Sequence, residues 1–156
     1  LTLDNLKGEN GTVIAFICNH CPYVISIAER LSKEANELKK ISINTIAIMS
    51  NDVEQYPEDS FENMKIFANK YNFNFPYLFD KTQKIAKEYG AVCTPDIFGF
   101  NNNKVLAYRG RIDSGVMNND STIINRDLFQ AMLDIKEFGI VKRKQFNSFG
   151  CSIKWK

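Results

Sequence analysis

The sequence contains one histidine, four cysteines and no long apolar run. Its longest apolar stretches have about five to seven residues, far below the ~20 that a membrane-spanning helix needs. The 20 basic and 18 acidic side chains are spread along the chain and leave a net charge of +2. Because no block of like charge stands out, we expect neither a nucleic-acid partner nor a membrane partner.

Four cysteines in 156 residues are too few and too unevenly spaced for a disulfide scaffold. A chain of this length forms one core, so we expect a single domain over residues 1–156. The cysteine count favours catalytic over structural thiols, and we expect a cytoplasmic protein. The sequence begins at Leu1 rather than at a methionine, so we expect residues upstream, and a periplasmic or exported protein is the alternative.

Apolar periodicity and turn residues predict strands that alternate with helices. The predicted strands are 12–17, 44–49, 76–79, 96–100 and 104–109, and the predicted helices are 22–40, 61–71, 82–89 and 126–138. Ser60 is the expected N-cap of the second helix, and Gly90 is expected to end the third. This order predicts an α/β fold with a mixed central sheet flanked by helices. The tail 139–156 lacks periodicity, but its apolar side chains predict that it packs on the domain.

The most informative motif is Cys18-Asn19-His20-Cys21-Pro22, which directly follows the first buried strand. Two cysteines three residues apart at a strand-to-helix junction lie on one helical face, where they can close a disulfide. The helix N-terminus stabilises a thiolate, which is the reactive form. We expect Cys18, nearer the exposed start, to be the nucleophile, and Cys21 to resolve the mixed disulfide that Cys18 forms with a partner. Pro22 suits the first helical turn, whose N–H groups lack helical partners.

Three further segments accompany this motif. They are Val92-Cys93-Thr94-Pro95-Asp96, Tyr108-Arg109-Gly110-Arg111-Ile112-Asp113 and Gly150-Cys151-Ser152-Ile153-Lys154-Trp155-Lys156. With them the sequence resembles the thioredoxin-like superfamily and, within it, the peroxiredoxin-like thioredoxin-family proteins of bacteria, over essentially its whole length. The resemblance implies a thioredoxin-like fold with the peroxiredoxin-type insertion of a helix and a strand. Relatives carry a β-hairpin before the first central strand, so residues 1–6 are expected to be the end of an incomplete hairpin.

The resemblance also implies roles for individual residues. In the superfamily the bond corresponding to Thr94-Pro95 is cis and lies beside the dithiol, and the backbone before the proline is free to pair with a substrate segment. Thr94, Pro95 and Pro22 are therefore candidate docking residues. His20 matches a histidine of disulfide isomerases and periplasmic disulfide oxidants that is associated with a stabilised thiolate, so it is the candidate for tuning the redox potential.

Four other residues have structural explanations at least as good as a functional one. Cys93, beside the Thr94-Pro95 turn, is a candidate third redox thiol or a buried inert cysteine. Cys151 is expected to be structural or incidental. Arg109 and Arg111 end a strand, where a cation either stabilises a thiolate or stays solvated at the rim, and neither role is favoured.

Three functions fit this sequence, and none needs a cofactor beyond the redox-active Cys18–Cys21 disulfide. The first is thiol–disulfide exchange with protein or small-molecule thiols and disulfides, which the Cys93-Thr94-Pro95 segment favours. The second is a peroxiredoxin-like peroxidase that reduces hydroperoxides with Cys21 as the peroxidatic cysteine, although Cys18 stands where peroxiredoxins have threonine. The third is a thiol-based metal chaperone. With one histidine and no second Cys-x-x-Cys, we predict no metal site.

We expect the substitution His20→Ala to lower the reduction potential of the dithiol and to leave exchange measurable. The imidazole stabilises the reduced thiolate, while the helix N-terminus already supplies part of that stabilisation. An interaction of about 1.4 kcal/mol corresponds to ~30 mV for a two-electron couple, so the shift is tens of millivolts. Thiol trapping in glutathione buffers measures it. Complete loss of exchange in a folded variant would make His20 an essential catalyst instead.

Overall fold

The computed structural model describes residues 2–117 and 124–156. A five-stranded sheet forms its centre. Its strands are β1 Gly11–Phe16, β2 Ile43–Met49, β3 Tyr77–Phe79, β5 Asp96–Phe100 and β6 Leu106–Gly110, and they lie in the order β3-β2-β1-β5-β6. The first three run parallel, whereas β5 pairs antiparallel with both β1 and β6. The sheet is therefore mixed, as the order of predicted elements indicated.

Helices cover the two faces of this sheet. They are α1 Leu3–Leu6, α2 Pro22–Lys39, α3 Phe61–Lys70, α4 Lys84–Tyr89 and α5 Asp127–Phe138, with a 3₁₀ helix over Pro57–Asp59. In the part of the chain that the structure describes, no helix is long and apolar enough to cross a membrane. The inserted helix and strand of the sequence prediction correspond to α3 and β3.

The core lies on both sides of β1, all of whose residues are buried. Alternate side chains of a strand point to opposite faces, so Val13 and Ala15 join one apolar cluster while Ile14 and Phe16 join the other. Apolar side chains of α2 and α5 complete the first cluster, and residues of α4 and the tail residue Ile153 complete the second. Burial on both faces makes β1 the fixed element from which the Cys18–Cys21 segment extends.

The predicted elements are confirmed, with boundaries within two residues. Ser60 caps α3, because its side chain accepts a hydrogen bond from the Asn63 N–H. Gly90 ends α4 at a φ of 72°, a left-handed conformation that glycine adopts without steric cost. The asparagine turn forms as predicted, since Asn101 Oδ1 accepts hydrogen bonds from two backbone N–H groups of the β5–β6 connection.

The expectation that residues 1–6 end a β-hairpin is wrong, because residues 3–6 form the helix α1. Thr2 and Asn5 make a reciprocal capping box that stabilises this turn locally. Leu3 and Leu6 pack against the second apolar cluster, so the segment covers the sheet face without extending the sheet. Leu1 lies outside the described residues.

Two short strands were not predicted. β4 comprises Cys93–Thr94 and β7 comprises Cys151–Ser152, and they pair antiparallel in a separate two-stranded sheet. The tail therefore contacts the body through backbone pairing and through Ile153, which is buried, whereas Phe149 and Trp155 stay largely exposed.

We expect Leu38→Ala to lower the free energy of unfolding by about 2–5 kcal/mol, because the fully buried Leu38 side chain leaves a cavity beneath α2. Ile66→Ala in α3 is the matched control, since Ile66 is 63% exposed, and its effect should stay within about 0.5 kcal/mol. Urea unfolding of both variants measures the difference. Equal effects would contradict this assignment of the core.

Candidate active site

The two cysteines of the motif lie just before the start of α2. Cys18 follows the end of β1 by two residues, and Cys21 is the N-cap residue of α2. Pro22 is the first helical residue, where its missing N–H leaves no helical bond unmade. Cys21 therefore lies nearest to the positive end of the helix dipole, and both cysteines are reduced in this structure.

Thr94 contacts both thiols of the motif. The Thr94-Pro95 bond is cis, as expected. Thr94 Oγ1 lies 3.5 Å from Cys18 Sγ, and the Thr94 carbonyl oxygen lies 3.3 Å from Cys21 Sγ, from which it accepts a hydrogen bond when that thiol is protonated. The structure thus brings the predicted residues Cys18, Cys21, Thr94 and Pro95 together at one end of the sheet.

Cys18 is not exposed, contrary to expectation, since its side chain packs against Thr94 and only 1% of the residue is accessible. Its hydrogen bond to Cys21, its burial and the negative charge of Asp59 raise the pKa of the Cys18 thiol. The Cys18 hydrogen bond instead lowers the pKa of Cys21 to about 4, with help from Cys151 and the Val24 N–H. These opposite shifts favour a proton on Cys18 and a thiolate on Cys21.

The structure adds a buried carboxylate that the sequence analysis missed. Asp59 is fully buried and accepts hydrogen bonds from the Asn19 N–H at 2.7 Å and from Asn51 Nδ2 at 2.9 Å. His20 Nδ1 also lies 2.7 Å from Asp59 Oδ2, in a close contact that lacks hydrogen-bond alignment. The His20 ring stacks on Tyr56 at a ring-centroid distance of 5.6 Å. Asp59 thus fixes the loop between the two cysteines.

A donor cluster formed by Cys18, His20 and Asp59 is the one group of three that could hold a metal ion within the described ranges. Its ligand atoms lie within 4.8 Å of one another. Cys93 is not a member of this cluster. Both Asp59 oxygens already accept protein hydrogen bonds, and Cys18 keeps its proton, so the cluster is better suited to hold His20 in place.

Cys93 and Cys151 lie in paired strands but differ in their relation to the dithiol. Cys93 Sγ lies 3.5 Å from the Pro95 carbonyl oxygen, on the side of β4 away from the Thr94 side chain. Cys151 Sγ lies 2.9 Å from Cys21 Sγ. Burial raises the pKa values of Cys93 and Cys151 to about 11, so Cys151 remains protonated and can donate to the Cys21 thiolate. The thiol that joins the pair is Cys151 rather than the predicted candidate Cys93.

Arg109 and Arg111 bind carboxylates rather than thiols. Arg109 pairs with Asp96 at 2.9 Å, and Arg111 pairs with Asp127 at 2.7 Å. The other three arginines of the sequence also form ion pairs with carboxylates, at positions 30, 126 and 143. No arginine contact to Cys21 occurs in residues 2–117 and 124–156. The negative charge of Cys21 is therefore stabilised by thiols and the helix N-terminus.

Comparisons with known proteins agree with this architecture. The sequence profile of the AhpC/TSA family matches residues 1–126. An uncharacterized conserved protein from Geobacillus kaustophilus is 44% identical, with a TM-score of 0.93 over 100% of this chain and 82% of its own. A hypothetical protein from Sinorhizobium meliloti 1021 is 36% identical, with a TM-score of 0.93 over 100% of this chain and 85% of its own. No curated protein is similar enough in sequence to be matched.

A more distant likeness shows the fold alone. A secreted disulfide oxidoreductase from Mycobacterium tuberculosis, described as homologous to E. coli DsbE, is 20% identical over 69% of this chain and 72% of its own, with a TM-score of 0.58. These structures confirm the predicted α/β thioredoxin-like fold, with its mixed central sheet flanked by helices.

We expect the reduced protein to carry one thiolate at neutral pH, which ultraviolet absorbance of the thiolate detects. Because the pKa of Cys21 is lowered to about 4, the signal should persist as the pH falls and disappear only through about pH 4. Cys21→Ser should remove it, whereas Cys18→Ser should keep it. A thiolate that survives in Cys21→Ser and is lost in Cys18→Ser would reverse the assignment.

Proposed function

Because the chain belongs to the AhpC/TSA family of the thioredoxin-like superfamily, we propose that it catalyses thiol–disulfide exchange through Cys18 and Cys21. The observation that carries the proposal is the shared contact of both sulfurs with Thr94, in a pair whose two pKa values are shifted in opposite directions. A thiolate beside a protonated thiol is the reduced state from which exchange proceeds.

The geometry supports an exchange in which Cys21 is the nucleophile and Cys18 resolves. The Cys21 thiolate attacks one sulfur of a partner disulfide, and the first partner thiolate leaves. Cys18 then attacks Cys21 Sγ, its proton passes to the departing second partner thiolate, and the Cys18–Cys21 disulfide forms. This reverses the roles expected from the sequence, because Cys18 is buried beside the carboxylate of Asp59 and Cys21 lies at the helix N-terminus.

A peroxidase is the second candidate, and the ionised Cys21 before Pro22 favours it. Peroxide attack by Cys21 would form a sulfenic acid and release water, and Cys18 would condense with that sulfenic acid to give the same disulfide. Two features disfavour this function. Cys18 replaces the threonine of peroxiredoxins, and all five arginines are paired with carboxylates.

The exchange proposal is tested in a background that carries Cys93→Ser and Cys151→Ser, so that only the motif cysteines react. With a small aromatic disulfide at neutral pH, this protein should release two partner thiols per chain and close the Cys18–Cys21 disulfide. Adding Cys18→Ser should stop the reaction at a mixed disulfide on Cys21, after one thiol is released. Adding Cys21→Ser should slow the first release by at least ~100-fold, because the thiolate is lost.

A second assay, with hydrogen peroxide in place of the aromatic disulfide, distinguishes the exchange function from the peroxidase. If the protein catalyses exchange, it should release partner thiols rapidly in the first assay and consume peroxide slowly in the second. Fast peroxide consumption with slow thiol release would establish the peroxidase instead. Release of no partner thiol by the folded protein with all four cysteines would contradict the exchange function itself.

A further inference from the structure

The strand β7 occupies the backbone edge at which a substrate segment was expected to pair. Thr94 is opposite Cys151 in the antiparallel β4–β7 register, and Cys93 is opposite Ser152. The pairing continues by one more residue, since the Ile153 N–H donates a hydrogen bond to the Val92 carbonyl oxygen at 3.0 Å. The expectation that the backbone before Pro95 is free is therefore wrong, because a segment of the same chain takes that place.

Glycine at position 150 permits this close approach. A Cβ atom on Gly150 would collide with the carbonyl group of Thr94 and would also come close to Pro95 N. Ser148 Oγ donates a hydrogen bond to the Pro95 carbonyl oxygen just before this point. The tail therefore fits closely against the residues that contact the dithiol.

The residues that follow Cys151 also hold the tail against the domain. Ile153 is buried in the second apolar cluster. The Lys154 N–H donates to Asn51 Oδ1 at 2.9 Å, and the Lys154 carbonyl oxygen accepts from Gln83 Nε2 at 2.9 Å. With anchors on both sides, Cys151 is presented to Cys21 without an opening of the fold.

The cysteines Cys18, Cys21 and Cys151 differ in solvent accessibility. Cys18 and Cys21 are almost completely buried, whereas Cys151 is half-buried. The distance of 2.9 Å between Cys21 Sγ and Cys151 Sγ is longer than the ~2.05 Å of a disulfide, but it requires little movement to close. A partner that approaches from solvent therefore meets Cys151 before it meets Cys21.

We propose that Cys151 is a third redox-active thiol, and that the tail acts as an internal substrate that carries disulfide exchange between the buried Cys18–Cys21 pair and solvent. This inference rests on the proposed exchange function. It deepens that function by naming the residue at which external thiols react with the oxidised protein. It also explains how two buried thiols serve an external partner.

The internal step replaces one disulfide by another, so the numbers of thiols and disulfides in the chain do not change. In the oxidised protein the Cys151 sulfur attacks Cys21 Sγ, the Cys18–Cys21 bond breaks, and the Cys21–Cys151 bond forms. The proton of Cys151 passes to the departing Cys18 thiolate. An external thiol then attacks Cys151 Sγ and releases Cys21 as a thiolate. A second external thiol frees Cys151, so that two external thiols become one disulfide and the pair is reduced.

Disulfide mapping of the full chain tests the internal bond. Trypsin cleavage after lysine and arginine places both motif cysteines in fragment 8–30, Cys93 in fragment 88–104 and Cys151 in fragment 145–154. After mild oxidation of the Cys18→Ser protein with diamide, we expect fragment 8–30 linked to fragment 145–154 in most molecules. Adding Cys151→Ser should abolish the link, and adding the control substitution Cys93→Ser should leave it unchanged. A link to fragment 88–104, or no link in folded protein, would overturn the proposal.

Exchange rates test whether the tail carries disulfide exchange to Cys21 or only shields Cys21 from solvent. Cys151→Ser alone should slow reduction of the oxidised protein by glutathione at least tenfold, while Cys93→Ser should not change that rate. Gly150→Ala, which pushes the tail away from Thr94, should slow it similarly. A faster rate in either tail variant would overturn the relay and show that the tail only shields Cys21. If Cys18 and Cys21 close normally in the Cys93→Ser, Cys151→Ser background, such a result refutes this inference and leaves the exchange function intact.

Discussion

The arrangement of the site depends on the contacts of one residue, Thr94. Its hydroxyl group contacts Cys18, its carbonyl oxygen contacts Cys21, and its backbone pairs with Cys151. Three segments that are far apart in sequence therefore meet on one short strand. β5 begins two residues after Thr94 and pairs with the fully buried β1, so the position of Thr94 relative to the cysteines is set by the centre of the sheet.

Electrostatics divides the two motif cysteines into different chemical states. The buried Asp59 carboxylate lies on the Cys18 side and opposes a second negative charge there. Cys21 has the helix N-terminus and two neighbouring thiols, all of which favour the anion. The pKa values of two cysteines in one short motif are thus shifted in opposite directions. The paired arginines have a structural task, since they tie β6, α5 and the tail to acidic neighbours.

Local sequence signals predicted most of the fold, because they act within a few residues. The continuous apolar run of the fully buried β1, the three- and four-residue spacing in α2, and the left-handed Gly90 each leave a pattern that can be read directly. The site was predicted only as far as the motif and Thr94-Pro95 extend. Asp59 was missed because it meets Asn19 forty residues away through a 3₁₀ turn. Cys151 was missed because a two-residue strand in an aperiodic tail has no local signal, and the burial of Cys18 depends on that same tertiary packing.

The contact between Cys21 and Cys151 joins positions 130 residues apart. The ribosome therefore completes the motif long before it adds the third thiol, and domains begin to fold from the N-terminal side during synthesis. Throughout that interval the edge of β4 is unpaired and Cys21 has no neighbour from the tail. The newly made chain consequently passes through a period in which its most acidic thiol is open to any disulfide nearby, and docking of β7 ends that period.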